Sequence, residues 1–297
     1  MIQYLYLGRV GYAEGLGLQA EMAALVATGR YKSVLLLLEH PAVLTLGRNG
    51  NRANVLASDA LLAARGVTLH QTNRGGDATY HGPGQLVGYP IFDLRSLRGP
   101  SGGRMGPVDF VRGMEEALIR VCAGWSVLAG RVAGRTGVWC GTNHEPQGPN
   151  NEEQTPGTGG LRAVPSRSER KIGAIGIHVA KGITSHGFAF NVTTNLRDFE
   201  LIIPCGIADR AVTSLEHELA LIDPERITDS PALETVADQV ARQFGMVFGE
   251  QVLAAASLEA LRGHGCATRE FPAEDTPAQA PREVERLLGS PQRPVRA

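Results

Sequence analysis

The fold class follows from residues 171–192, Lys-Ile-Gly-Ala-Ile-Gly-Ile-His-Val-Ala-Lys-Gly-Ile-Thr-Ser-His-Gly-Phe-Ala-Phe-Asn-Val. Its apolar residues predict two strands, 171–180 and 183–192, with Lys181-Gly182 as the turn between them. A link this short cannot hold the crossover that parallel strands need, so the two strands must pair antiparallel. The stretch therefore predicts a β-hairpin within a sheet.

Further elements are predicted on both sides of this hairpin. Apolar residues at helical spacing predict helices over 12–28 and 55–65, one that begins at Pro107 and one that opens at Ser230-Pro231. Strands are predicted at 33–38, 67–72, 84–93 and 131–140, and Val43–Gly47 is a candidate neighbour of the 33–38 strand. Hairpin-paired strands with helices gathered between them predict an α+β domain with a mainly antiparallel or mixed sheet and flanking helices.

Two segments are expected to lie outside the folded core. Residues 142–169 are rich in Gly, Pro, Asn and Glu and poor in apolar residues, so we expect an inserted low-complexity loop. Residues 267–297 are rich in proline and are expected to form a disordered tail. The prediction is a single domain over residues 1–266.

Composition excludes several classes of protein. The formal net charge is -1 and aromatic residues make up 5% of the chain, which argues against a dedicated nucleic-acid binder. The four cysteines show no Cys-x-x-Cys pair, so we expect free thiols in a reducing compartment. The N-terminal residues do not resemble a signal peptide, and the cytoplasm is the expected location.

A glycine-rich run covers residues 74–85, Arg-Gly-Gly-Asp-Ala-Thr-Tyr-His-Gly-Pro-Gly-Gln. It lacks the pattern of a Walker loop and that of a dinucleotide fingerprint. Gly75 and Gly76 allow backbone N–H groups to approach a ligand, and Arg74 offers a fork of donors for a carbonyl or phosphate oxygen. The ordinary alternative is a glycine-bearing hairpin turn with polar neighbours.

Cys205 and Lys171 are the candidate reactive pair. Cys205 lies between Pro204 and Gly206, which indicates a turn, whereas Cys122 and Cys140 occupy apolar segments typical of inert buried thiols. A desolvated ammonium at Lys171 would favour a thiolate and handle protons, although a solvated strand end is the alternative. A thiol, an amine and a glycine-rich wall together point to covalent acyl transfer.

Histidines are candidate general bases in such a reaction. His81 lies in the polar glycine-rich run and is a candidate substrate contact, whereas His178 alternates with apolar residues and is interpreted as structural. The histidines and cysteines do not show ligand spacing, so neither a metal nor a cofactor is predicted.

At these residues the sequence resembles the lipoyl(octanoyl) transferases. The resemblance extends over about residues 33–250, and its motifs are Glu-His-Pro-Ala-Val-Leu-Thr-Leu-Gly-Arg (39–48), the run from Arg74 to Pro90, Lys-Ile-Gly-Ala-Ile-Gly (171–176), His-Gly-Phe-Ala-Phe-Asn (186–191), Pro-Cys-Gly (204–206) and Val-Thr-Ser-Leu (212–215). It implies a catalytic domain similar to those of the biotin and lipoate protein ligases. The implied activity is ATP-independent transfer of an octanoyl or lipoyl group in protein lipoylation.

The same resemblance implies roles for individual residues and partners. Cys205 would carry the acyl-thioester and Lys171 would lower its pKa and handle protons. The implied substrate-binding residues are Arg74, Gly75, Gly76, Asp77, Ala78, Thr79, Tyr80, His81, Ala174, Ile175, Gly176, Gly187, Phe188 and Ala189. The implied donor is octanoyl-acyl carrier protein, and the acceptors are lipoyl domains of 2-oxoacid dehydrogenase E2 subunits and the glycine cleavage H protein.

Two other functions stay open at the level of sequence. An ATP-dependent lipoate or biotin protein ligase on the same fold would need no nucleophilic cysteine, and a non-catalytic module that binds carrier or lipoyl domains would need neither Cys205 nor Lys171. The insertion and the tail depart from the family pattern. As a weaker hypothesis, Arg162, Arg167 and Arg170 guide an acidic carrier protein, the alternative being a solvated loop.

Overall fold

The computed structural model of the chain describes residues 1–100, 102–141, 169–203, 211–223 and 230–263. The strands in chain order are β1 (Ile2–Arg9), β2 (Ser33–Glu39), β3 (Val43–Leu46), β4 (Thr68–Gln71), β5 (Ala78–His81), β6 (Gln85–Phe92), β7 (Ala129–Val132), β8 (Arg135–Cys140), β9 (Arg170–Ala180), β10 (Ile183–Asn191), β11 (Ala211–Val212) and β12 (Val252–Ala254). The helices are α1 (Tyr12–Ala27), α2 (Asp59–Ala64), α3 (Pro107–Gly124), α4 (Leu215–Ile222), α5 (Leu233–Phe248) and α6 (Leu258–Arg262).

Within these residues, most strands form one large mixed sheet in the order β12-β1-β2-β6-β10-β9-β8-β7, with β11 beside β9. The predicted hairpin is confirmed, because β9 and β10 pair antiparallel from Ala180–Ile183 to Gly173–Phe190. Lys181 and Gly182 both have positive φ, 51° and 83°, as the tight turn of such a hairpin requires. β1 pairs parallel with β2 and β12, which makes the sheet mixed.

Helices cover both faces of this sheet. β2 is buried along its whole length, as its uninterrupted apolar run predicts. Leu36 and Leu38 pack with Leu18 and Met22 of α1 on one face. Leu35 and Leu37 belong to the core under α3 and α5 on the other face. The chain therefore forms an α+β domain, as the sequence predicts.

A small second sheet adjoins the large one and carries the glycine-rich run. β3 pairs with β4 and β5, and their apolar side chains pack against α2 and the short 3-10 turn over residues 196–201. The expectation that Val43–Gly47 pairs with the 33–38 strand is wrong, because β2 lies between β1 and β6. An apolar run does not specify which strand it pairs with.

Several predicted boundaries also needed correction. The 131–140 strand is two strands, β7 and β8, because the chain turns at Gly134 with φ +73°. The 55–65 helix begins only at Asp59, where the Ser58 side chain caps it. The last long helix begins at Leu233 with Ala232 at its N-cap, rather than at Ser230. β1 and β5 were not predicted, since β1 is only half-buried and β5 lies in the glycine-rich run.

The predicted insertion, apart from Glu169, and the predicted tail lie outside the described residues. So do Cys205, Cys266, Arg162 and Arg167. Within the described part, the helices are all too short or too polar to cross a membrane.

Candidate active site

A cavity of about 530 Å³ lies where the glycine-rich run meets β9 and β10. Its walls come from several separate regions of the chain, which the fold brings together. The lining residues among those predicted from the sequence are Lys171, Arg74, Gly75, Gly76, Thr79, His81, Ala174, Ile175, Gly176, Gly187, Phe188 and Ala189. Further lining comes from α1, β6, the start of α3 and the β7–β8 turn.

The glycine-rich run lies directly on the backbone of β9. The Gly75 N–H donates to the carbonyl of Ile177 at 3.1 Å. A Cβ at Gly176 would overlap the carbonyl oxygen of Gly75, so only glycine fits there. Gly76 has φ +92°, a conformation that favours glycine. These contacts make the two motifs one wall of the cavity.

Arg74 lines the cavity as the sequence predicts, and its guanidinium also holds the loop together. The group is buried, and its Nε donates to the Thr45 hydroxyl at 3.0 Å. Its Nη atoms donate to the carbonyls of Thr45, Gly75 and Asp77. Arg74 therefore shapes the cavity wall through these hydrogen bonds, which use guanidinium N–H groups that were expected from the sequence to contact a ligand.

Three of the predicted substrate-binding residues do not line the cavity. Ala78 and Tyr80 alternate with Thr79 and His81 along β5, and they pack in the core of the small sheet. The Tyr80 hydroxyl donates to Asp198 at 2.9 Å. The Asp77 carboxylate accepts from the N–H of Asn51 and from the Asn54 side chain, so it holds the adjoining turn.

Lys171 lies near the start of β9 and lines the cavity. Its Nζ is 4.7 Å from the centroid of the Trp139 ring on the neighbouring strand β8. Trp139 itself is 1% exposed. On the other side, Val212 pairs with Lys171, and the N–H of Thr213 donates to the Lys171 carbonyl at 2.9 Å. The ammonium is thus held over an aromatic ring in a position that two flanking strands define.

The His81 ring is oriented by a chain of hydrogen bonds. The Asn191 side-chain amide donates to the Thr213 carbonyl, and the Gln85 amide donates to Asn191 Oδ1 and the Tyr80 carbonyl. Gln85 Oε1 therefore faces His81 Nδ1 at 2.8 Å. Because this oxygen only accepts, Nδ1 carries the proton and Nε2 keeps its lone pair.

Buried histidines around the cavity are neutral at physiological pH. Burial, together with electrostatic interactions with His40 and Arg74, lowers the pKa of His81 to about 3. Burial likewise lowers the pKa of His186 to about 3 and that of His40 to about 4. His40 donates from Nδ1 to the Val10 carbonyl and accepts from Tyr89 at Nε2. His178 is half-buried on β9 and does not line the cavity.

The segment that carries Cys205 is outside the described residues, but both of its flanks are held close to the site. The N–H of Ile203 donates to the Asn54 carbonyl at 2.7 Å, and Asn54 holds Asp77 of the glycine-rich run. On the far side, β11 begins at Ala211 beside β9. Of the other cysteines, burial raises the pKa of Cys122 well above its usual value and that of Cys140 to about 12.

Arg170 pairs with Glu218, which corrects the hypothesis that it guides a carrier protein. Its guanidinium donates to both carboxylate oxygens at 2.8 and 2.9 Å, and the side chains are 13% and 7% exposed. Arg170 therefore anchors the start of β9 on α4. Arg162 and Arg167 lie outside the described residues.

Sequence reasoning missed part of the cavity wall. Tyr12, Val87 and Tyr89 line it from α1 and β6, and Pro107 and Arg135 line it from α3 and β8. Val87 and Tyr89 belong to the motif that ends at Pro90 but were not assigned a role, whereas the other three lie in ordinary helix and strand patterns, so tertiary placement identifies them as lining residues. Among the described residues, side chains that bind metals do not cluster in a way that would hold an ion.

Comparisons with known proteins identify relatives of this chain. Residues 11–245 match the family described as the lipoyl protein ligase A/B catalytic domain. The octanoyltransferase of Acidobacterium capsulatum is 56% identical over 257 residues, which cover 85% of this chain and 92% of that protein. The octanoyltransferase of Koribacter versatilis is 45% identical over 288 residues, which cover 97% of each chain.

Solved structures share the fold at low sequence identity. The bipartite lipoate protein ligase of Thermoplasma acidophilum superposes with a TM-score of 0.58 at 16% identity, covering 88% of this chain and 89% of that one. A lipoate-protein ligase A bound with ATP gives a TM-score of 0.54 at 15% identity, covering 88% and 93%. The predicted α+β architecture is thereby confirmed.

Proposed function

The chain belongs to the octanoyltransferase family, with the lipoyl protein ligase A/B catalytic domain, and on that premise we propose how its residues carry out acyl transfer. The enzyme transfers an octanoyl group to lipoyl domains. In our proposal the donor is octanoyl-acyl carrier protein, the group passes through a thioester on Cys205, and it ends as an amide on a specific lysine of an apo lipoyl domain. A lipoyl group is the second acyl group proposed.

The observation that carries this proposal is the position of Lys171 in a cavity beside which both flanks of the Cys205 segment are held. Only Pro204 lies between Ile203 and Cys205, and the two peptide bonds that join them span at most about 7 Å. Ile203 is bound to Asn54, which is bound to the glycine-rich run. This anchoring supports a thiol at the cavity.

In the first half-reaction the Cys205 thiolate attacks the thioester carbonyl of the donor. Backbone N–H donors beside the nucleophile, Gly206 among them, are assigned to the oxyanion, a type of contact that contributes roughly 2.7–4 kcal/mol. The tetrahedral intermediate then expels the carrier's thiolate, which takes a proton from Lys171. The acyl group remains on the Cys205 sulfur.

In the second half-reaction the ε-amine of the acceptor lysine attacks this thioester. Lys171, now neutral, removes a proton from the attacking amine, and the Cys205 thiolate leaves. The product is an amide, which is more stable than a thioester, so ATP is not required. The proposed contacts to the acyl group are Ala174, Ile175, Gly176, Gly187, Phe188 and Ala189, with Thr79 and His81 beside the reacting carbonyl.

The proposed acceptors are lipoyl domains of 2-oxoacid dehydrogenase E2 subunits and the glycine cleavage H protein. Because a nucleophilic thiol must stay reduced, we place the reaction in the cytoplasm.

The intact mass of the protein tests the covalent route. After mixing with octanoyl-acyl carrier protein without ATP, we expect the mass to increase by one octanoyl group that hydroxylamine removes. Cys205→Ser should not gain it, whereas Cys122→Ser should, since that buried thiol is inert. Acylation that persists in Cys205→Ser, or transfer that needs ATP and free acid, would exclude this mechanism.

A further inference from the structure

The cavity has a buried end and an exposed end, and the two differ in chemistry. Val87, Tyr89 and Ala189, whose side chains pack on the α1 face of the sheet, form the buried end and are each 5% exposed or less. The exposed end is formed by the start of α3 and by the β7–β8 turn, where Val108 is 71% exposed. The buried end suits an aliphatic chain, since apolar groups gain most from leaving water there.

The exposed end is cationic. Arg112 and Arg135 both line it, and the described lining contains neither Asp nor Glu. Arg112 is already bound to Glu115 at 2.6 Å. Arg135 differs, because its Nη1 is buried and makes no hydrogen bond to any residue that the structure describes. A buried, unsatisfied guanidinium donor costs free energy unless a ligand accepts from it.

The start of α3 adds to this positive character. Pro107 and Val108 line the cavity, and the Gly106 N-cap provides no side-chain hydrogen bond to the first turn. The N–H groups of a first helical turn carry partial positive charge and favour anions. Asp109 is in the same turn and offsets part of this charge, but it does not line the cavity. Arg135 is therefore the main anion-binding group of the exposed end, and the first turn of α3 adds a weaker positive charge.

We propose that the exposed end, with Arg135 as its main donor, binds the phosphodiester of the phosphopantetheine arm on the acyl carrier protein. This inference rests on the proposed function. β9 connects the two ends, and Lys171 lies between the apolar pocket over β6 and β10 and the arginine on β8. With the acyl chain in the buried end, the arm beyond the thioester sulfur extends towards β8.

The spacing along β8 fits such an arm. Arg135 and Trp139 belong to the same strand, four residues apart, which corresponds to at most roughly 13 Å because the strand has a bulge between them. Trp139 lies under the Lys171 ammonium, where the thioester reacts. The phosphodiester is the first anionic group that the arm presents beyond the thioester, and a guanidinium fork matches its oxygens.

The test compares two small donors that differ only in the phosphate, octanoyl-pantetheine and octanoyl-4′-phosphopantetheine. Their Kd values are measured by calorimetry on Cys205→Ser, which stops turnover, and again with Arg135→Gln added. We expect the phosphorylated donor to bind about tenfold or more tightly before that change. Arg135→Gln should remove most of this preference and alter the Kd of octanoyl-pantetheine by less than about twofold.

Arg120→Gln is the matched control, because Arg120 is on α3, pairs with Glu116 and does not line the cavity. It should retain the preference. The inference would be overturned if Cys205→Ser bound both donors equally. It would also be overturned if adding Arg135→Gln left the preference unchanged or weakened the binding of both donors equally. Acylation of the unmutated enzyme by octanoyl-pantetheine is measured separately, so a missing thioester with an intact phosphate preference would refute the covalent route alone.

Discussion

At the scale of single residues, the position of Lys171 depends on Trp139. The Trp139 ring lies 4.7 Å from the ammonium, and its indole N–H is buried without a hydrogen-bond partner in the described structure. Trp139 therefore acts through its ring rather than through its donor. A cation over an aromatic face gains about 0.5–2 kcal/mol, enough to define where the amine lies.

Replacing Trp139 tests this positioning role. Trp139→Leu should lower kcat of octanoyl transfer by about tenfold with little change in KM, because the ammonium loses its ring but the substrate pocket stays. Trp139→Phe keeps an aromatic face and should retain more than about a third of kcat. Steady-state kinetics with a thermal-unfolding check distinguish the variants. If Phe and Leu behave alike, packing rather than the cation–π contact explains the residue.

Gly176 is the second decisive residue, because the carbonyl of Gly75 occupies the place of its Cβ. Gly176→Ala should push the glycine-rich run away from β9 and reduce kcat/KM by about 100-fold, as displacements near 1 Å do in active sites. Gly124→Ala, at the end of α3 where the space is open, is the control and should leave activity unchanged. Full activity of Gly176→Ala would show that the run does not need this contact.

At the scale of elements, α4 holds the start of β9. Glu218 on α4 accepts from Arg170 and from the Thr213 hydroxyl at 2.6 Å. Burial raises the pKa of Glu218, but the hydrogen bonds from Arg170 and Thr213 outweigh it and lower the pKa overall. The contact positions the backbone on both sides of Lys171.

Glu218→Gln should therefore lower the free energy of unfolding by about 2–3 kcal/mol at pH 7. A carboxyl with a lowered pKa stabilises the fold above its unfolded-state pKa, near 4.5, and this stabilisation is lost as pH falls through the folded value. The difference between the two proteins should thus shrink at pH 3.5, as urea denaturation would show. Asp59→Asn removes an exposed ion pair to Arg52 and should cost less than about 1 kcal/mol.

At the scale of the whole molecule, buried histidines make the fold sensitive to acid. His40, His81 and His186 have pKa values of about 3–4 in the folded chain, against 6.5 in the unfolded one. At pH values between the folded and unfolded pKa, these histidines are protonated in the unfolded state but not in the folded state. Stability should therefore decline as pH falls from about 6.5 to 4, by up to about 1.4 kcal/mol per pH unit for each histidine.

His186→Asn measures one part of this slope. His186 has φ +55°, a conformation that Asn tolerates, so the backbone is preserved. Urea denaturation at several pH values gives the slope of the free energy of unfolding against pH. Between pH 6 and 4 this slope should correspond to about one proton fewer taken up on unfolding. His217→Asn is the control for replacing an imidazole with an amide, because that side chain is exposed. An unchanged slope in His186→Asn would mean that His186 takes up its proton in the folded state.

The sequence by itself determined the features that depend on neighbours along the chain. The turn at Lys181-Gly182 requires the β9–β10 hairpin, and uninterrupted apolar runs such as residues 33–38 identify buried strands. The sequence motifs and their order along the chain were sufficient to indicate the family, and these motifs contain most of the residues that line the cavity. Spacing along a strand or helix reports burial directly, because side chains repeat with its period.

Tertiary structure alone decided which distant segments meet. It placed the glycine-rich run on β9, directed the Arg74 donors into the protein, brought the Trp139 ring beside Lys171 and placed Arg135 at the cavity. It also placed β2 and β3 in different sheets, and it placed the side chains of Ala78 and Tyr80 on the opposite side of β5 from His81. Strand pairing and the choice of face depend on packing between segments far apart in the chain, and the period of one segment carries no information about its partner.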